Sequence, residues 1–333
     1  YLWGRRKEVP YIQPITSRIP KRTSLGDGPY AQRDAVGESY RRFKADGVPE
    51  ALAVEARDWI AHVASATGRA AHLPPSGNAW GIPFGSGTIA GWLHGFKDRR
   101  SPGFVNDYTY IPAGEKALIL ASRMARKWAM SVVSPFEKPA AFDHPFVLFG
   151  FHMQPEASTL VRGQFHQDMA AVAENLARSL PGRFQLVVKD HDIMFGHRPR
   201  AFYQRLSRVP NIRLVSPYLS GPDLIRKAAG VAVISGSMGW DSVQLGIPTL
   251  VVGEAFYRDY AGLEYQPDPS QWPAAFDRLL NQWTLDSDDR LAVVAAVLEN
   301  ALPIDMDKMR HLKKGMAYAD AKNMAAALAE RVR

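Results

Sequence analysis

Three short apolar runs mark the second half of the chain, and each ends abruptly in polar residues. Phe146 to Met153 breaks into Gln154-Pro155-Glu156. Phe184 to Val188 breaks into Lys189-Asp190-His191-Asp192, and Val231 to Ile234 into Ser235-Gly236-Ser237-Met238-Gly239-Trp240-Asp241. Runs this short, rich in β-branched and aromatic residues, suit strands covered on both faces. Segments of helical period separate them, so the pattern reads βαβα and predicts a parallel sheet flanked by helices. Residues just past the strands then share one edge, where open α/β folds bind ligands. Glu156, His191 and Ser235 are therefore expected to converge.

The same reading continues outward. Arg198 to Val209 is helical, Asn211 to Val215 a short strand and Pro222 to Ala229 a helix. Ile247 to Val252 closes the core of the sheet, residues 269–302 form two helices, Pro303 breaks them, and 305–333 is a helical segment that packs back. Upstream, residues 1–30 are rich in proline, glycine and basic residues without a period, an extended arm or connector. Ala31 to Lys44 and Val48 to Thr67 are helical, with Pro49 in a first turn and Leu52, Ala56, Trp59 and Val63 on one stripe. Residues 68–113 are loop-rich, and Gly85-Ser86-Gly87 reads as a plain loop because no strand precedes it. Gly114 to Val133 is a helix carrying Lys116, Arg123, Arg126 and Lys127. It reads first as a packed helix with a solvated basic side, and second as one lying on a membrane or lining an anionic groove. Residues 1–144 thus form a helix-and-loop region, 145–304 a Rossmann-like unit and 305–333 a C-terminal helix.

Composition narrows the chemistry. With 333 residues there is room for two domains, and 46% hydrophobic with 22% charged residues is ordinary for a globular protein. The absence of cysteine excludes disulfides and thiolate metal sites. A net charge of +8 favours anionic partners such as a nucleotide, an acidic glycan or a phospholipid surface. Like charges form no block, which argues against nucleic acid. No apolar run is long enough to span a bilayer, and Tyr1 to Lys7 opens no secretory signal. A cytoplasmic protein, peripheral to the inner membrane, is expected. Without an initiator Met, the start looks like the middle of a longer chain.

Ser235-Gly236-Ser237 follows a strand and opens a helix, so its backbone N–H groups and the positive dipole end can hold a phosphate. The alternative is a tight strand-to-helix turn with Ser237 as N-cap. Trp240 reads as core, and Asp241 as a carboxylate favouring the first turn. Lys189 and His191 can neutralise and donate to a phosphate, or simply face solvent. Asp190 and Asp192 lack convincing ligand spacing, so no metal is expected. Glu156 is a candidate general base or a helix-capping carboxylate. His166 and Asp168 read as surface or cap residues.

Taken together these clusters resemble the capsule polysaccharide synthesis and export family, which includes bacterial Kdo transferases. Its Gln-Pro-Glu motif is matched by Gln154, Pro155 and Glu156, and its Lys-Glu-His-Pro-like motif in part by Lys189, Asp190 and His191. Its Thr-Gly-Thr-x-Gly-Trp-Glu-like turn and Gly-x-Pro are matched by Ser235 to Asp241 and Gly246 to Pro248. The Phe202-Tyr203 and Phe256-Tyr257 pairs fit the same rhythm. The likeness covers residues 145–260 and departs at Asp192, where the family has proline.

The resemblance implies a GT-B-like α/β fold whose Rossmann-type C-terminal lobe holds the nucleotide, the N-terminal lobe being incomplete or mostly helical. It implies an inverting glycosyltransferase that needs no cofactor beyond a nucleotide-sugar donor, a CMP-linked acidic sugar of Kdo type. The acceptor would be an anionic surface glycan or lipid-linked primer. Glu156 and His191 would be catalytic; Gln154, Lys189, His191, Ser235, Gly236, Ser237, Gly239 and Asp241 would contact nucleotide and phosphate. Two other readings stay open, a UDP-sugar epimerase or transferase of the same shape and a non-catalytic glycan-binding scaffold.

Overall fold

The computed structural model describes residue 6 and residues 11–66, 113–132, 134–137, 144–306 and 318–332. At its centre lies β3 (Phe146–Gly150), with β4 (Gln185–Lys189) and β5 (Ile212–Val215) on one side. On the other side follow β6 (Gly230–Val233), β7 (Thr249–Val251) and β8 (Glu264–Tyr265). All six strands are parallel, in the order β5-β4-β3-β6-β7-β8. The fold is α/β, with helices on both faces of the sheet.

Side-chain alternation explains the double cover. Leu148, Val187, Val231, Val233 and Val251 join one buried cluster, while Val147, Phe149, Leu186, Val188, Ala232, Ile234 and Leu250 join another. Successive residues of a strand point to opposite faces, so an uninterrupted apolar run feeds both layers. The second cluster is covered by α5 (Met169–Ser179), through Val172, Ala173 and Leu176, and by α9 (Trp272–Asp277), through Trp272 and Phe276. The first is covered by α8 (Ser237–Leu245) and α10 (Ser287–Glu299). It also takes in Val36, Tyr40 and Phe43 of α1 (Ala31–Asp46) and Ala56 of α2 (Glu50–Ser65). Tyr40 donates to Asp289 of α10 at 2.6 Å and accepts from the Ala261 amide at 2.9 Å, which fixes α1 against the sheet layer.

The structure corrects three expectations. The arm proposed for residues 1–30 contains a hairpin: β1 (Gln13–Thr16) pairs antiparallel with β2 (Thr23–Gly26). β2 is wholly buried, and Thr23 exchanges two backbone bonds of 2.9 Å with Leu302. A four-residue strand flanked by proline and glycine leaves no readable period. β8 extends the sheet beyond Ile247–Val252 and was equally illegible, being two residues long.

Third, Arg123, Arg126 and Lys127 of α3 (Ala113–Val132) make contacts with residues 193–196. Arg123 donates to the Ile193 carbonyl at 2.8 Å, Arg126 to the Gly196 carbonyl at 2.9 Å, and Lys127 lies over the Phe195 ring. Leu118 and Trp128 are instead 71% exposed. Irregular loops leave carbonyls that need donors, and long cationic side chains meet that need. In α11 (Tyr318–Val332) the described side chains 320–330 are half-buried or exposed. Residues 67–112, on which the loop-rich expectation and Gly85-Ser86-Gly87 fall, lie outside the described residues.

Candidate functional site

The strand order reverses at β3, so the carboxyl ends of β3 and β6 flank the topological switch point, where open α/β folds form their binding crevice. Register brings the polar clusters to one edge: Gly150 lies opposite Lys189, and Phe149 opposite Ala232. Glu156, His191 and Ser235 therefore lie past the same ends of neighbouring strands, as the pattern predicts. Glu156 acts electrostatically on His191 and on His152 alike.

The crevice floor is the turn from β6 into α8. Gly236 is the N-cap in extended conformation, and no side chain caps the helix. Ser237 is the first helical residue, not the cap. The Gly239 N–H donates to the Gly236 carbonyl at 3.2 Å, while those of Ser237 and Met238 have no side-chain acceptor. Tyr257 donates to the Gly236 carbonyl at 2.7 Å and holds the turn; burial, then Asp241, raises its pKa, so it keeps its proton. At the far end of α8, Gly246 sits at φ 69°, the left-handed conformation that stops the helix.

Against this turn lies His152, which sequence reasoning passed over as part of an apolar run. A Cβ on Gly236 would lie 2.7 Å from its Cε1, so the approach requires glycine. The His152 residue is 8% exposed and its Nε2 has no hydrogen-bond partner among the described residues. Burial pushes its pKa down to about 4, with Glu156 opposing, so the imidazole is neutral at physiological pH. A buried polar nitrogen left unpaired costs about 1–3 kcal/mol. A ligand oxygen at the α8 terminus would remove that cost. The readable signal was a histidine continuing a fully buried strand.

Glu156 occupies the N-cap position of the short helix α4 (Ala157–Leu160), but its carboxylate caps no backbone amide. It accepts the Ser158 hydroxyl at 2.7 Å. Ser235 donates its hydroxyl to the Ser158 carbonyl at 2.8 Å, so that proton is committed to the turn rather than to a phosphate. Gly239 and Asp241 are buried within α8, Asp241 past the first turn.

Other expected ligands are tied into the scaffold. Lys189 donates to the carbonyls of Pro217 at 2.8 Å and Asp190 at 3.2 Å, and burial lowers its pKa. Gln154 donates to the Gln167 carbonyl at 2.8 Å and accepts from Arg198 at 3.3 Å. His191 is half-buried, with Nδ1 2.8 Å from Asp192 Oδ1; burial lowers its pKa and Asp192 opposes. His166 is buried beside Trp272, and Asp168 caps α5 through two amides at 3.1 Å. Among the described residues no group of three His, Asp or Glu side chains converges.

Asp190 holds these loops together. Its Oδ1 accepts the His191 amide at 2.7 Å, and its Oδ2 accepts Arg198 Nε at 3.0 Å and the Tyr203 hydroxyl at 2.6 Å. Arg198 then donates to the His152 carbonyl at 2.7 Å and lies 4.9 Å from the Phe202 ring centroid.

No protein-family model matches the sequence, and no curated protein does. Solved structures do show likeness. With the KpsC beta Kdo 2,7 transferase of Thermosulfurimonas dismutans the identity is 15% and the TM-score 0.35, over 56% of this chain and 58% of that one. With a putative UDP-N-acetylglucosamine 2-epimerase of Listeria monocytogenes the values are 17% and 0.34, over 52% and 48%. With the UDP-GlcNAc 2-epimerase of Methanocaldococcus jannaschii they are 13% and 0.34, over 54% and 51%. The chain thus spans about half the length of each.

Two outcomes follow from this geometry. Replacing Asp190 with Asn leaves Arg198 buried without its charge partner. Unfolding free energy, measured by urea denaturation, should fall by about 3–5 kcal/mol; a loss under about 1 kcal/mol would remove Asp190 from its central place. The second concerns pH. His152 protonates near pH 4 in the folded chain and at its ordinary value of 6.5 when unfolded. Its contribution is therefore complete above pH 6.5 and is lost as pH falls from 6.5 towards 4, on the order of 3 kcal/mol in all. His152→Gln should flatten that part of the stability profile, and an unchanged slope would show that His152 is not buried neutral.

Proposed function

We propose that this chain binds a nucleotide-sugar donor in the switch-point crevice and transfers its sugar, as one part of a two-lobed GT-B-type glycosyltransferase. The observation that carries the reading is the unpartnered Nε2 of buried His152 against the uncapped start of α8. An imidazole donor beside free helix N–H groups fits a phosphate oxygen. The donor best matched to the motifs is a CMP-linked acidic sugar, and the acceptor a hydroxyl on a surface polysaccharide or its lipid-linked primer. The net charge of +8 and the outward Leu118 and Trp128 of α3 suit an acceptor presented at a membrane surface.

The chemistry divides between two groups of atoms. The acceptor oxygen attacks the anomeric carbon while the half-buried Glu156 carboxylate takes its proton. The bond from that carbon to the phosphate oxygen breaks, and the charge left on the phosphate is met by the α8 N–H groups and His152. His191 stands at the neighbouring strand end, where it can reach the nucleotide. One displacement of this kind inverts the anomeric centre. The Glu156 carboxylate caps no backbone amide and accepts the Ser158 hydroxyl, which supports this role over capping.

Calorimetry with CMP and with UDP tests the donor. Binding of CMP supports the proposal, binding of UDP alone moves the reading to an epimerase or another transferase, and binding of neither leaves the scaffold reading. Glu156→Gln keeps the acceptor for Ser158, so nucleotide affinity should be spared and stability should change by about 1 kcal/mol or less. Turnover should fall by roughly 10²–10⁴-fold. Full turnover in that variant would exclude Glu156 as the base.

A further inference from the structure

Two arginines from distant parts of the sequence, Arg18 and Arg162, act electrostatically on Tyr257, which holds the α8 turn, and neither makes an ion pair among the described residues. Arg162 follows the short helix α4; its amide donates to the Ala157 carbonyl at 3.0 Å and its carbonyl accepts the Glu254 amide at 2.8 Å. Those bonds hold it next to the ends of β6 and β7. Arg18 belongs to the tip of the β1–β2 hairpin. Among the described residues neither guanidinium makes an ion pair or a side-chain hydrogen bond, whereas Arg22, Arg33, Arg41, Arg42 and Arg258 all have carboxylate partners.

The hairpin tip is built to present Arg18. Ser17 is fully buried, donates to the Arg22 carbonyl at 2.8 Å and accepts the Ile19 amide at 3.2 Å. Ile19 is buried in the cluster that includes Phe256 and Tyr257. Between these anchors Arg18 is held at φ 64°, and Lys21 in the same loop at φ 60°, a conformation that residues with side chains rarely adopt. Tyr30, just past the hairpin, donates to the Val161 carbonyl at 3.4 Å and so fastens this segment to the loop that carries Arg162.

The charges meet at the crevice. Arg18 acts electrostatically on His152, Arg162 and Tyr257, and Glu156 acts on His152 and Arg162. Burial, then the Arg18 charge, lowers the Arg162 pKa. Two guanidinium groups that oppose one another gain most when an anion enters between them.

We infer that Arg18 and Arg162 form a second anion subsite next to the α8 turn, so that the crevice takes a donor with two adjacent anionic groups. The first is the phosphate at α8. The second is a further phosphate or the carboxylate of an acidic sugar. The inference rests on the reading of the crevice as a nucleotide site.

Arg18→Gly tests it, because glycine adopts φ 64° freely and the fold should melt no lower than wild type. Calorimetry at one fixed ionic strength compares CMP with CDP, and CMP with CMP-N-acetylneuraminate. Wild type should bind at least one of the two doubly anionic ligands about 10- to 100-fold more tightly than CMP. CDP preference assigns the subsite to phosphate, and preference for the acidic sugar assigns it to carboxylate. Arg18→Gly should abolish that preference while keeping its affinity for CMP within about threefold. Equal affinities in wild type, or a preference that survives in the variant, would overturn the subsite while leaving nucleotide binding intact. Inorganic pyrophosphate separates the two readings: if it binds and loses affinity in Arg18→Gly while no nucleotide binds, the subsite stands and the nucleotide reading falls.

Discussion

The carboxylate of Asp190 is the constraint on which the crevice depends. It is almost fully buried, where a charge is tolerated only with donors around it. Three donors are supplied: its neighbour's amide, the Tyr203 hydroxyl and the Arg198 guanidinium. Through Arg198 the constraint reaches the His152 carbonyl and the Gln154 amide, and so fixes the loop after β3 relative to the loop after β4. The faces of Phe151 and Phe202 flank the same guanidinium. A charge pair of this kind adds little net stability over an apolar replacement, but it admits few alternative loop arrangements.

With the loops fixed, the polar atoms of the edge divide into two sets. Lys189, Gln154 and the Ser235 hydroxyl spend their donors on protein carbonyls and serve as struts. The His152 Nε2 and the Ser237 and Met238 N–H groups keep no side-chain acceptor, and the guanidinium groups of Arg18 and Arg162 make no ion pair, among the described residues. That second set is cationic or donating throughout, with the Glu156 carboxylate nearby.

The N-terminal segment belongs to this arrangement. Its helices share the core of the sheet, and its hairpin is joined to the chain's other end through Thr23 and Leu302. A stretch without legible period thereby packs its hairpin tip, through buried Ile19, into the core shared with Phe256 and Tyr257.

How much of this was legible follows from the range of each interaction. The parallel sheet was legible because apolar runs covered on both faces leave a local, one-dimensional mark. The convergence of Glu156, His191 and Ser235 followed from topology, since parallel strands end on one edge. What the chain could not reveal was which atoms stay free. Ser235 and Lys189 have the right chemistry and position, but carbonyls 77 and 28 residues away take their donors. His152 looked like one more residue of an apolar run; its importance comes from Gly236, 84 positions further on, whose missing Cβ lets the ring approach. The contacts of Arg123 and Arg126 depended on carbonyls about 70 residues away, and Arg18 on a hairpin too short to leave a period. The sequence alone determined the strands β3 to β7, their parallel sense and the edge that carries the polar clusters. Only the tertiary structure decided which donors that edge keeps, because hydrogen-bond commitments are settled between residues far apart in the chain.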